Sequence, residues 1–183
     1  MSRMIALARR LFLAAAMLVG IAPAAFAQDA NTLYLDLKDG RVTIELDPAA
    51  APRTVAHIQE LMRKGFYDGT PIHRVIPGFM AQMGDPTGTG GGGSGSTVPD
   101  EFGSIPFERG TVGLARTEEP HSGDSQFFIM FARNDYLDGK YAVIGKVTAG
   151  MDVVDKIKAG TREENGVVEN PDKIIKATLG DMK

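Results

Sequence analysis

Turn signals punctuate this chain at short intervals: Asp39-Gly40, Asp68-Gly69, Pro77-Gly78, Asp85-Pro86, Asn134-Asp135, Asp138-Gly139, Asn165-Gly166 and Asn170-Pro171. Gly and Asn tolerate the positive φ of tight turns, and Pro presets a turn corner. The runs between these signals are short and apolar or alternating, which predicts a mainly β sandwich or barrel. Leu33, Leu35 and Leu37 alternate before Asp39-Gly40, and Val42, Ile44 and Leu46 alternate after it, so residues 32–47 read as a hairpin. Two stretches carry helical spacing instead. In Pro52 to Lys64, Val55, Ile58, Leu61 and Met62 share one face, with proline early and Gly65 at the end. A second helix is predicted from Met151 to Lys158, with Val154 and Ile157 inward and Gly160 closing it. No linker and no repeat divides the chain, so one β domain with two helices is expected.

The first 27 residues stand apart. Arg3, Arg9 and Arg10 precede a twelve-residue apolar run, Leu11 to Ala22, and Ala25-Phe26-Ala27 then meets polar Gln28-Asp29. A basic head, a short apolar middle and an Ala-x-Ala end define a cleaved signal peptide, 1–27, ahead of a domain at 28–183. The run is shorter than the roughly 20 residues that span a bilayer. Arg9-Arg10 leaves both the general and the twin-arginine export routes open. The expected location is periplasmic or secreted, with no membrane attachment after cleavage.

Composition then removes several chemistries. The chain has no cysteine, which excludes disulfides, thiolate metal sites and catalytic thiols. Three histidines, His57, His73 and His121, leave little for a metal centre, so no metal and no cofactor is expected. Without its leader the chain keeps 17 basic against 23 acidic residues, a charge of −6 that argues against nucleic acid as a partner. The run Gly88 to Gly95 formally holds G-x-G-x-x-G. Pro86 before it and Thr97-Val98-Pro99 after it deny the strand and helix that a dinucleotide site needs, so it is expected to be a flexible loop.

Two stretches hold what chemistry remains. From Ile72 to Ile76, an extended strand puts Ile72, Arg74 and Ile76 on one face and His73 and Val75 on the other. Beyond the Pro77-Gly78 bend, Met80 and Gln82 share a face, so an arginine and a glutamine sit among Met and Phe side chains. Ser125 to Phe131 is apolar on both faces, with Phe127, Ile129 and Phe131 on one and Gln126, Phe128 and Met130 on the other. If the first face lines the core, the second is an exposed apolar patch, which marks a binding site.

These residues make the sequence resemble the cyclophilins over nearly all of Thr32 to Leu179. The match runs through Phe66-Tyr67-Asp68-Gly69-Thr70, His73 to Gln82, Gly84 to Gly90, Gly110 to Arg116, Ser125 to Ile129 and Leu137-Asp138-Gly139-Lys140. The resemblance implies a closed eight-stranded antiparallel β-barrel capped by two α-helices, with peptidyl-prolyl cis-trans isomerase activity on its outer face. It makes Arg74 the catalytic arginine. It puts Phe79, Met80, Phe128 and Leu137 around the substrate proline, and Gln82, Gln126, Ala115 and Arg116 along the peptide groove. His73 matches a histidine beside the arginine, where a structural hydrogen bond behind the sheet is the competing role. His57 and His121 are expected on a helix surface and in a loop.

The chain departs from the common cyclophilin pattern at Ile72, where many members carry phenylalanine. Tyr136 and Tyr141 stand where many carry tryptophan and histidine, and the loop Arg116 to Asp124 is one residue longer. The tryptophan N–H contacts cyclosporin in the family, so weak cyclosporin binding is implied. The implied partners are proline-containing peptides and unfolded exported proteins, met by a monomer. Two alternatives come from other classes. A Gly-Asp-Ser hydrolase at Gly123-Asp124-Ser125 fails, because Gln126-Phe127 breaks the nucleophile elbow and no histidine follows His121. A non-catalytic proline-peptide-binding chaperone module of the same fold stays open at this level. The protein recovered from cells that export it is expected to begin at Gln28; N-terminal sequencing that starts at Met1 would overturn the leader.

Overall fold

The structure, a computed structural model, describes residues 30–182, so the leader expected over 1–27 lies outside the described residues. Its strands are β1 (Thr32–Leu37), β2 (Gly40–Leu46), β3 (Arg74–Ile76), β4 (Met80–Met83), β5 (Thr111–Leu114), β6 (Phe127–Met130), β7 (Val143–Ala149) and β8 (Lys176–Leu179). They form one antiparallel sheet in the order β3-β4-β6-β5-β7-β2-β1-β8. The expected opening hairpin is β1 and β2, with Leu37 opposite Gly40 across the turn.

The sheet curls into a barrel, and its last seam carries no ladder. Between β3 and β8 the flanking segments exchange irregular backbone bonds instead. The amides of Ile72, Ile174 and Val168 donate to the carbonyls of Asp172, Thr70 and His73 at 2.8, 2.9 and 3.1 Å, and Val75 donates to Gly166 at 2.7 Å. Closure is therefore looser than a continuous ladder. The same irregularity corrects one expectation from the sequence. Residues before Arg74 lie outside the regular strand, so the period of two fails there, and Ile72 joins Val75 in the barrel core rather than sharing the face of Arg74.

Helix α1 spans Pro52–Arg63 and buries Val55, Ile58, Leu61 and Met62, as its spacing predicts. No side chain at its own N-cap binds the free amides. Glu101 does so from a distant loop, accepting from the amides of Arg53 and Thr54 at 3.1 and 2.8 Å and from the Thr54 hydroxyl at 2.8 Å. A carboxylate at that end also meets the positive pole of the helix dipole. His57, expected on the helix surface, is largely buried, with Nε2 3.5 Å from the Asp124 carboxylate. The second helix, α2, spans only Met151–Val154. It stops short of Lys158 because the amides of Lys156 and Ile157 turn to the carbonyls three residues back, Val153 and Val154, and that of Lys158 donates to the Asp172 carboxylate at 2.8 Å. Tight turns still carry Ile157 inward beside Val154.

Two apolar clusters result. One fills the barrel and includes Leu35, Ile44, Ile58, Phe127 and Ile129. The other lies against the outer side of β4 and β6 and holds Met80, Phe107, Phe128, Met130, Leu137 and Val143.

The glycine-rich loop is tethered rather than free, which overturns the flexible-loop expectation. Buried Asp85 accepts from the Thr87 amide and hydroxyl, both at 2.7 Å, and from the Gly90 and Gly92 amides at 2.6 and 3.1 Å. Asp124 takes the Ser94 hydroxyl and the Gly95 amide. A Cβ on Gly92 or Gly93 would collide with one of these carboxylates, so glycine serves close approach here. Burial alone would raise the Asp85 pKa, but the donors from Thr87, Gly92 and Gly90 outweigh it and lower it from 3.8 to about 2. Asp85→Ala is expected to cost about 2–3 kcal/mol in urea unfolding at neutral pH, because it orphans several buried donors. A depressed carboxyl contributes fully above about pH 4 and loses its contribution as pH falls toward 2, so the gap between the two proteins should close there.

Candidate active site

Neighbouring strands place four residues in one row across the barrel wall. Arg74 on β3 pairs with Gln82 on β4, Gln82 with Phe128 on β6, and Phe128 with Gly113 on β5. Strands lie about 4.8 Å apart, so the row sets a cation, an amide, an aromatic ring and a gap side by side. The gap is required: a Cβ on Gly113 would lie 2.5 Å from the Phe128 ring and 2.6 Å from the Phe107 ring. Those rings stack with centroids 5.6 Å apart, and Tyr141 meets Phe128 edge-on at 5.7 Å.

Above this floor opens a cavity of about 370 Å³. Ten of the twelve residues expected at the site line it: His73, Arg74, Phe79, Met80, Gln82, Ala115, Arg116, Phe128, Leu137 and Tyr141. Gln126 lines an adjoining cavity of about 230 Å³, which shares Gln82, Gly90, Ala115 and Arg116 with the first. Tyr136 lines neither cavity; it is 70% exposed, with the Lys140 ammonium 3.5 Å from its ring centroid. The cause is the 3₁₀ turn Asp135–Leu137, whose three residues per turn send neighbouring side chains in different directions. Leu137 goes in and Tyr136 stays out.

Arginine has only donors, and that fixes the orientation of the amides around it. Arg74 Nη1 donates to Gln82 Oε1 at 3.0 Å, so Gln82 Nε2 is left to donate to Gln126 Oε1 at 2.8 Å. Gln126 Nε2 then donates to the carbonyls of Gly90 and Gly92 at 2.9 and 2.8 Å. A relay of amides therefore runs from the guanidinium to the glycine-rich loop. On its other edge Arg74 meets Asn165, which the sequence showed only as a turn signal. Nε donates to the Asn165 carbonyl at 2.9 Å and Nη2 to its Oδ1 at 2.8 Å. No local pattern links residues 74 and 165, which the barrel seam brings together.

Arg74 is half-buried, and burial draws its pKa down, though a guanidinium stays charged at neutral pH. His73 beside it is buried, and burial also lowers its pKa, which favours the neutral imidazole. Neither ring nitrogen meets a partner at full hydrogen-bond geometry, and the Pro71 backbone and the Gln126 side chain are the polar groups nearest to it. Arg116 braces the longer loop, donating to the carbonyls of Glu118 and Glu119 at 3.2 and 2.9 Å and lying over the Phe102 ring. His121 sits in that loop, as expected, and accepts from the Asp100 amide at 3.0 Å.

The fold and this outward-facing cavity define a barrel that presents an apolar floor beside a fixed cation. Residues 32–179 match the family profile described as "Cyclophilin type peptidyl-prolyl cis-trans isomerase/CLD". A probable peptidyl-prolyl cis-trans isomerase of Brucella suis is 52% identical over 178 residues, covering 90% of each chain. Peptidyl-prolyl cis-trans isomerase B of Bacillus subtilis is 43% identical over 133 residues, covering 71% of this chain and 92% of its own. Cyclophilin AquaCyp293 from Hirschia baltica superposes with a TM-score of 0.75 at 29% identity, over 85% of this chain and 76% of that one. A Cryptosporidium parvum cyclophilin-type isomerase, solved in the presence of the dipeptide Ala-Pro, gives 0.73 at 26% identity, over 81% and 98%. The chain belongs to the cyclophilin-type peptidyl-prolyl cis-trans isomerases, and its reaction is rotation about X–Pro bonds.

Gly113→Ala tests how the floor sets the cavity. The added methyl is expected to push the Phe128 ring upward, weaken X–Pro peptide binding about tenfold and cost about 1–3 kcal/mol of stability through overpacking. Peptide titration and urea unfolding of the variant read both; unchanged affinity would show that the ring moves elsewhere.

Proposed function

We propose that the cavity seats the proline ring of an X–Pro peptide against Phe79, Met80, Phe128 and Leu137. Arg74 then acts on the imide nitrogen as the bond twists. Rotation about a peptide C–N bond costs about 18–20 kcal/mol because amide resonance is lost. Uncatalysed X–Pro isomerisation takes roughly 10–100 s at 25 °C, slow enough to limit folding. In the twisted state the nitrogen regains a lone pair and accepts a hydrogen bond, which it does not do when planar. A guanidinium aimed there from an apolar wall binds the twisted state better than either planar isomer.

The observation that carries this reading is the state of Arg74 itself. Three of its five N–H groups are spent on neutral amide oxygens, and one on each of Nη1 and Nη2 remains for a substrate beside the apolar floor. Gln82 spends one Nε2 hydrogen on Gln126 and keeps the other for the substrate backbone. Ala115, Arg116, Gln126 and Tyr141 extend the groove, and the Ala-Pro dipeptide named with the Cryptosporidium relative supports proline-containing peptides as the ligand class. The chemistry needs no nucleophile and no acid–base pair, which suits a buried His73 whose neutral form is favoured.

The clients we propose are newly exported proteins, met by a monomer in the periplasm or outside the cell. The leader pattern over residues 1–27 supports that location. The mechanism consumes no ATP, which suits compartments beyond the inner membrane.

The test is exchange between the two isomers of a short X–Pro peptide, followed by NMR without a coupling protease. Arg74→Ala is expected to lower the catalysed rate on the order of 100–1,000-fold, as for loss of one pre-organised donor. A variant that keeps the full rate would remove Arg74 from the mechanism.

A further inference from the structure

Given the role proposed for Arg74, the structure assigns the task of fixing its guanidinium to Asn165, as a positioning residue for the reaction. One residue supplies two acceptors to one edge of the arginine, its carbonyl to Nε at 2.9 Å and its Oδ1 to Nη2 at 2.8 Å. Nε–H and its neighbouring Nη2–H point in parallel, so the pair of bonds forms the fork usually seen between arginine and a carboxylate. Here both acceptors are amide oxygens. The fork sets the plane and direction of the guanidinium without cancelling its charge, and no ion pair with Arg74 is found among the described residues.

The segment that carries Asn165 is built to hold it there. Asn165 has a φ of 53°, in the left-handed region where Asn and Gly are at ease. Its amide donates to Arg162 at 3.1 Å, that of Gly166 to Thr161 at 2.7 Å and that of Val167 to Glu164 at 3.2 Å. A Cβ on Gly166 would collide with Ile76, so this turn is pressed against β3. Backbone bonds from Val75 to Gly166 and from Val168 to His73 tie it down on both sides of Arg74. Three demands meet at position 165. The backbone must be left-handed, the side chain must accept, and it must be neutral. Glycine meets the first and third, aspartate the first and second, and asparagine all three.

Those two substitutions are the test, made in the protein produced from the full chain, with Arg74→Ala beside them. Glycine keeps the turn and the carbonyl bond, so Asn165→Gly is expected to fold. It should lower the exchange rate at saturating X–Pro peptide about 5–20-fold, with peptide Kd within about twofold of the parent, because orientation rather than ground-state binding is lost. The Arg74 Nη signals in nitrogen-15 spectra should merge as the side chain regains rotation. Asn165→Asp keeps the fork but adds a charge. Its rate at pH 7 should fall at least as far and stay low down to about pH 4, because the guanidinium beside it holds the new carboxyl ionised below the usual carboxylate range. An Asn165→Gly protein with the parent rate and separate Nη signals would overturn the assignment, as would a loss shared equally by rate and Kd. A full rate for Asn165→Asp at pH 7 would overturn the demand for neutrality. Full activity in Arg74→Ala would instead remove the underlying reading of Arg74, and this assignment with it.

Discussion

Strand β6 gives neither face to water, and the active site is a consequence. Phe127 and Ile129 fill the barrel, while Phe128 and Met130, each one residue along, hold up the outer cluster. A slip of one residue would exchange these sets and bury Gln126 with them, so the register is fixed from both sides of the wall. The cavity floor therefore inherits the rigidity of the barrel interior. Gly113 completes the arrangement by leaving room for two stacked rings on the strand next to β6. The seat proposed for a proline ring is thus the reverse side of a core strand.

On that floor, direction comes from one donor-only group. Because Arg74 accepts nothing, Gln82 must turn its oxygen toward it and its nitrogen toward Gln126, whose nitrogen must then face the loop carbonyls. Each amide is oriented by the one before it, so the remaining side-chain hydrogens of Gln82 and Arg74 are set together. The loop that ends this relay is anchored from its other side by Asp85 and Asp124. Glycine serves there because two carboxylates approach the backbone closely, and the hydrogen bonds they collect tie the loop to the barrel.

How much of this the sequence made legible follows from the range of each interaction. The hairpin of β1 and β2, helix α1 and the two faces of β6 came from local periodicity, which burial enforces residue by residue. The family motifs brought ten cavity-lining residues together, because most of them sit on the paired strands β3, β4, β5 and β6 or directly beside them. Asn165 was missed for the opposite reason: it meets Arg74 across a seam with no ladder, 91 positions away in the chain. Ile72 was misplaced because a two-residue period holds only inside a paired strand. Helix α2 was drawn too long because its apolar spacing continues through turns that are not helical. The tether on the glycine-rich loop was invisible because low complexity says nothing about which carboxylates lie beneath it.

The electrostatics of the site turn on carboxylates that are near yet occupied. Asp85 is saturated by Thr87, Gly90 and Gly92; Asp124 by Ser94 and Gly95, with His57 beside it. Asp100 takes the His121 amide and lies 3.5 Å from Arg116 Nε. None of them pairs with Arg74. An ion pair would hold the guanidinium well, but in the proposed mechanism it would spend its field on the partner and weaken its pull on a nitrogen lone pair that exists only while the bond is twisted. Amide oxygens orient nearly as well and leave the charge in place. In a half-buried position such a charge acts through fewer waters than on an open surface, so the same group gains more from the change in the substrate. On the role proposed for Arg74, a chain with a net negative charge thus keeps this cation free of an ion pair, with Asp85, Asp124 and Asp100 holding other donors.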